Sequence, residues 1–199
     1  MNVRHALSFI TLLLLSGCFQ YGSVQTAATN GQGRFEGGLE PGIRTVLEKD
    51  DMAQVSNVTA SLRYGVHDRV DVGLRLGQNA YDIHGKVMFT PAESPVLVSF
   101  APAFFIDQYG NYAINAPALV GLRLKQHELT LGPRILLGAD PVSLGLANGE
   151  KFAFGSSIGF AARLTQNFKL LPELTVIAGP EGSVSGDLKL GVLFGGRRP

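Results

Sequence analysis

The sequence predicts an all-β fold: a single antiparallel up-and-down β-barrel of about ten strands, with eight as the alternative count. Three observations lead there. Beyond residue 33, apolar side chains recur at every second position almost to the chain's end, the period of a strand with one apolar face. The alternating stretches run well past the roughly 5–6 residues of an ordinary globular strand. No stretch shows a helical period, because the 25 Gly and 10 Pro of the 199 residues interrupt nearly every window a helix would need.

The strands are expected at about 34–47, 54–65, 69–77, 80–90, 95–106, 111–124, 127–137, 151–163, 168–178 and 183–194. In the first, Phe35, Leu39, Ile43 and Leu47 share one parity and Arg34, Glu36, Glu40 and Arg44 the other. The second and third meet in "LRYGVHDRVDVGLRLG". There Leu62, Tyr64, Val70, Val72, Leu74 and Leu76 alternate with Arg63, Arg69, Asp71 and Arg75 around the turn Val66–Arg69. In the fourth, Tyr81, Ile83, Val87 and Phe89 oppose Asp82, His84 and Lys86. The seventh sets Leu129, Leu131 and Ile135 against Glu128, Thr130 and Arg134. The eighth sets Phe152, Phe154, Ile158 and Phe160 against Lys151, Gly155, Ser157 and Arg163. The tenth sets Val184, Leu188, Leu190, Val192 and Phe194 against Ser185, Asp187 and Lys189. Two stretches, "PVLVSFAPAFFI" and "FKLLPELTVIA", are apolar on both parities, which leaves their facing open.

A soluble sandwich buries its apolar face against a second sheet, whereas a membrane barrel turns that face to lipid and encloses the polar one. Strand length favours the membrane, since a spanning strand needs roughly 9–11 tilted residues. The off-face residues are small or charged, which suits a narrow lumen. An even strand count returns the chain to its starting side. The lumen is expected to hold Arg44, Arg63, Arg69, Asp71, Arg75, Asp82, His84, Lys86, Arg134, Lys151, Asp187 and Lys189, and to be occluded by them. Short turns after strands two, four, six and eight would face the periplasm, and the long "GADPVSLGLANGE" the outside. Aromatic residues sort into two belts: Phe35, Tyr64, Phe89, Phe160, Phe168 and Phe194 on the inner side, and Tyr81, Phe104, Tyr112 and Phe152 on the outer. The "YGVHDRVDVGLRLG" hairpin resembles those of bacterial outer-membrane β-barrel proteins. "LKLGVLF" resembles their C-terminal assembly signal, although Gly195–Pro199 follow the aromatic residue.

The N-terminus reads "MNVRHALSFITLLLLSGC", a positive start, a short apolar run and a single Cys after small residues. It resembles the lipobox of bacterial lipoproteins. The resemblance implies a signal peptide over 1–17, acylation of Cys18 and an anchor on the periplasmic side of the outer membrane. Phe19 in place of Asp favours that membrane over the inner one. Residues 18–33, small, polar and aperiodic, are expected to form a flexible lipidated tether, and 34–199 the barrel. The whole chain carries a net charge of +1; losing the signal removes Arg4 and no acid, so the mature chain is neutral and gives no sign of binding nucleic acid.

Signals for chemistry are few. Asp82 and His84 share a face and could form an acid–base pair, but lumen residues paired with Arg or Lys fit as well. With Asp50 and Asp51 they resemble the acidic and histidine pairs of the omptin proteases, without their spacing. Scattered His residues give no metal-ligand pattern, and no cofactor motif is present. The expected role is therefore structural or narrow small-solute passage, not catalysis. Outer-membrane lipid is the expected partner, and lipopolysaccharide contact through the outer loops is a further one. The alternative is a periplasmic β-sandwich or open-barrel lipoprotein that binds a lipid or protein. Acidic residues gather toward the expected outer loops and basic ones toward the inner mouth, which fits solubility at both ends first, and otherwise a polarity that would draw anions inward.

Overall fold

The computed structural model describes residues 22–48, 51–77, 80–138 and 150–196. Its strands are β1 (Phe35–Glu48), β2 (Asp51–His67), β3 (Val70–Leu76), β4 (Ala80–Met88), β5 (Val96–Phe100), β6 (Ala103–Asp107), β7 (Tyr112–Leu124), β8 (His127–Leu131), β9 (Arg134–Gly138), β10 (Phe152–Thr165), β11 (Phe168–Ala178) and β12 (Val184–Gly195). Each pairs antiparallel with the next stave of the wall, and β1 also pairs with β12, Ile43 opposite Leu188, so the sheet closes on itself. A single closed sheet replaces the sandwich alternative.

The strand segments make a 10-strand barrel, because β5 with β6, and β8 with β9, are halves of single staves. The breaks fall at Pro102 and Pro133, which have no N–H to give the ladder. Bonding carries on around them. The Gly85 N–H donates to the Pro102 carbonyl at 3.0 Å and the Ala118 N–H to that of Pro133 at 2.9 Å, while Gly132 and Ser157 exchange bonds of 2.8 and 3.0 Å.

The turns at the end where β1 begins include two tight ones, Lys125–Gln126 and Gln166–Asn167. Lys125 takes φ 58°, the left-handed twist such hairpins need. The opposite end holds the connection over 139–151, and its residues 139–149 lie outside the described ones.

The usual inside-out order of a protein is reversed. Each stave shows solvent a large apolar side chain: Ile43, Leu62, Leu74, Ile83, Phe104, Ile114, Leu131, Ile158, Leu174 and Leu188 around the ring. The stretches of open facing resolve. Leu97, Ser99 and Phe105 point inward, as do Lys169, Leu171, Glu173, Thr175 and Ile177. Aromatic pairs mark both rims. Phe35 lies 4.6 Å from Tyr64 and Phe168 5.2 Å from Phe194 near the short turns, and Phe104 lies 5.9 Å from Tyr112 toward the other end.

The tether expectation needs correction over its described part. Gly22–Gly31 runs inside the barrel, buried apart from a half-buried Ala28, and turns at the short-turn mouth to start β1. Charged wall residues hold the segment by its backbone, a form of retention that leaves no mark on the segment's own composition. Cys18 lies outside the described residues.

Candidate functional site

The lumen is the site, and its wall supplies an ion-pair chain across neighbouring staves. Arg63 Nη1 meets Glu36 Oε1 at 2.7 Å, and Arg63 and Arg75 approach Glu40 at 3.5 and 3.8 Å. Arg75 Nε donates to Asp82 Oδ2 at 2.7 Å, and the other Asp82 oxygen lies 2.8 Å from His84 Nδ1. Lys86 sits 3.3 Å from Asp71, Arg44 3.9 Å from Asp187, and Lys169 pairs with Glu36. Such pairs are retained at depth because a lone buried charge costs several kcal/mol (about 3–5 when one partner is removed). Arg75 also stacks over the Phe105 ring at 5.5 Å.

Four cations of this wall reach the segment's carbonyls. Arg75 and Lys189 donate to the Gly22 oxygen at 2.7 and 2.6 Å, Arg63 to Val24 at 2.7 Å, and Lys86 to Thr26 and Ala28 at 3.3 and 2.6 Å. Three carboxylates take its N–H groups. Ser23 donates to Glu173 at 2.9 Å, Ala27 to Glu128 at 2.5 Å, and Asn30 to both oxygens of Asp71 at 3.0 Å. The bonding follows the backbone, cation to C=O and carboxylate to N–H. The segment's side chains contribute little. Both polar atoms of the buried Gln25 lack a hydrogen-bond partner among the described residues, and Thr26 bonds within the segment to Ala28. Thr29 reaches the wall, donating to the Asp68 carbonyl at 2.6 Å.

Glycines in the wall make the room. A Cβ on Gly121 would lie 2.8 Å from the Ala27 Cβ, and one on Gly191 would strike the Val24 side chain. Apolar clusters flank the clamp. Val24 packs with Ala161, Leu171 and Leu193, and Ala27 with Met88, Leu97 and Leu119. Farther along, Phe105, Leu136 and Ile177 pack with Ala103, Ala113 and Ala153 in a third apolar cluster on the inner face.

Of the charges expected inside, Arg44, Arg63, Asp71, Arg75, Asp82, His84, Lys86, Arg134, Asp187 and Lys189 are buried. Arg69 and Lys151 are exposed, contrary to expectation. Arg69 sits in the turn after the Gly65/His67 bulge, where the register shift ends the alternation. Lys151 precedes β10 and lies at the rim. Glu36, Glu40, Glu128, Lys169 and Glu173 also line the lumen. The parity of Glu36 and Glu40 with Arg44 signals the first two, while the two-sided apolarity of β11 conceals Lys169 and Glu173. Asp50 lies outside the described residues.

At the short-turn mouth a cavity of about 470 Å³ opens, with Thr26, Ala28, Thr29 and Asn30 as part of its lining and Arg34, Arg123, Lys125, Arg163 and Lys169 around it, against Glu93 and Glu128. At the other end Asp107 and Glu150 serve turns: Asp107 accepts from the Tyr109 and Asn111 N–H groups at 2.8 and 2.9 Å, and Glu150 from that of Glu181 at 2.7 Å.

No protein-family model matches the sequence, and no curated protein does. Among solved structures, Neisserial surface protein A is similar over 80% of this chain and 96% of its own, at 14% identity and a TM-score of 0.44. The NanC porin is similar over 80% and 99%, at 10% identity and 0.49. The attachment invasion locus protein Ail of Yersinia pestis is similar over 82% and 99%, at 10% identity and 0.36.

Proposed function

We propose that this chain is a bacterial outer-membrane barrel, anchored by a lipid on Cys18, whose lumen is shut by its own segment 22–31. Its role is structural or, once the segment yields, narrow passage of small solutes. The closed sheet with an apolar side chain facing out from every stave supports a lipid surround, because such a face is stable only in hydrocarbon. The run "LLLLSGC" supports the anchor. The shut lumen rests on one observation, the backbone clamp of four cations and three carboxylates on Gly22–Asn30. In this reading the protein is not an enzyme: Asp82 is already shared between Arg75 and His84 and serves the wall.

Planar-bilayer recording tests it. The whole chain should be silent or give small, brief events, and a chain lacking residues 22–31 should give a steady conductance. A large steady conductance from the whole chain would refute the shut lumen.

A further inference from the structure

We infer that the lumen is a binding site for a polypeptide segment supplied in trans, and that segment 22–31 is the tethered occupant of that site. This rests on the proposed plug but goes beyond it, since a plug can block without being exchangeable.

The clamp does not depend on whose chain it holds. All of its charged contacts to Gly22, Ser23, Val24, Thr26, Ala27, Ala28 and Asn30 end on backbone atoms, which every peptide carries. Cations reach the segment's carbonyls and carboxylates its N–H groups along a path that kinks at Val24, where φ is 39°, and bends at Ala27–Ala28. What the site reads beyond the backbone is size. Gly121 and Gly191 open space for one small and one branched side chain, at Ala27 and Val24. Gly22 is similarly confined, since a Cβ there would lie 3.1 Å from Lys189 and 3.2 Å from Glu173. The polar end of Gln25 has no partner among the described residues, so the wall does not read that side chain. The cavity at the short-turn mouth gives a second chain an entrance, because the segment's Thr26, Ala28, Thr29 and Asn30 form part of its lining. The ligand class is therefore a small-residue polypeptide, able to follow the same bent path, that enters from the short-turn side.

The test frees the occupant without removing the wall. A protease recognition sequence inserted after Gly31 in the full chain lets the folded protein be nicked at the turn. A labelled peptide of residues 22–31 is then added and its anisotropy read. The nicked barrel should bind it and release the native fragment, while the uncut chain should not bind. An unlabelled peptide with Gln25, Thr26, Thr29 and Asn30 all changed to Ala should compete within about tenfold of the parent, given the few bonds those side chains make. Peptides N-methylated at Ser23, Ala27 and Asn30, or carrying Val24→Phe and Ala27→Phe, should compete about a hundredfold more weakly, as lost charged bonds and overpacking require. The chain lacking residues 22–31 offers a second, independent preparation. Binding that ignores N-methylation, or no exchange into either preparation, would overturn the inference. So would a barrel that folds by neither route, because a site for a peptide in trans must exist without its tethered occupant. A conducting deletion that binds no peptide would defeat this inference alone and leave the plug standing.

Discussion

Gly191→Ala is the most economical way to disturb the plug without touching the clamp. Gly191 lies in β12 facing the lumen segment, and the first atom an added methyl meets is Cγ1 of Val24. The wall is more tolerant: the next neighbours are the Leu171 carbonyl at 3.4 Å and the Leu171 Cβ at 3.5 Å. The strain thus falls on the segment. Overpacking of this kind costs about 1–3 kcal/mol, and each 1.4 kcal/mol is tenfold in an equilibrium. The unseated population should rise by roughly 5- to 150-fold. It should not become the majority, since the charged bonds to Gly22–Asn30 contribute about 1.5–3 kcal/mol apiece. Single-channel recording should show opening events more frequent by that factor, with unchanged amplitude. Gly186→Ala, where nothing lies within 4 Å of the added carbon, is the control on the same strand. If the two variants opened equally often while both stayed folded, Val24 would not be pressed against that wall and the seating would be wrong.

Three further outcomes are expected. Leu174→Arg places a charge on the outward face midway along β11 and should destabilise the barrel by about 2–4 kcal/mol in a bilayer unfolding titration, whereas Leu174→Ala should cost far less. Arg63→Ala strips a cation from Glu36, Glu40 and Val24 together; it should cost about 3–5 kcal/mol in the same titration, and Arg63→Lys should recover part of it. Cys18→Ser should end incorporation of radiolabelled fatty acid; label retained in that variant would defeat the lipobox reading.

The wall was largely legible because a strand's two-residue period writes itself into the sequence wherever the two faces meet different media. In β1 to β4 the inner face is charged and the outer apolar, so Arg63, Arg75, Asp82, His84 and Lys86 could be placed from parity alone. In β5, β6 and β11 the lumen is itself apolar, at Leu97, Phe105, Leu171 and Ile177. There both faces read alike and the pattern vanishes. Arg69 and Lys151 failed for a different reason: alternation holds only while the ladder does, and both sit where it stops. The segment 22–31 was illegible in principle. A clamp that grips backbone atoms asks of its occupant little more than small side chains and a pliable backbone, and a sequence selected for that looks like a linker.

The depth of Gly22 also sets a length limit on any anchor. Gly22 is held by Lys189, which faces Gly42 across the β1–β12 seam, well above Phe35 at the short-turn rim. That climb is roughly 18 Å at the usual strand rise and tilt. Cys18 stands four residues earlier in the chain, a span of at most about 14 Å when fully drawn out. A lipid embedded in the leaflet at that rim would leave the chain too short for Gly22 to stay in place. Anchoring there would cost the seating of Gly22, while the bonds at Val24, Ala27, Ala28 and Asn30 still keep the lumen shut. Acylation would then work as a fixed-length leash, drawing Gly22 away from Arg75 and Lys189 while Ala27–Asn30 stay held below, so the acylated protein should gate more readily than Cys18→Ser in the same bilayer.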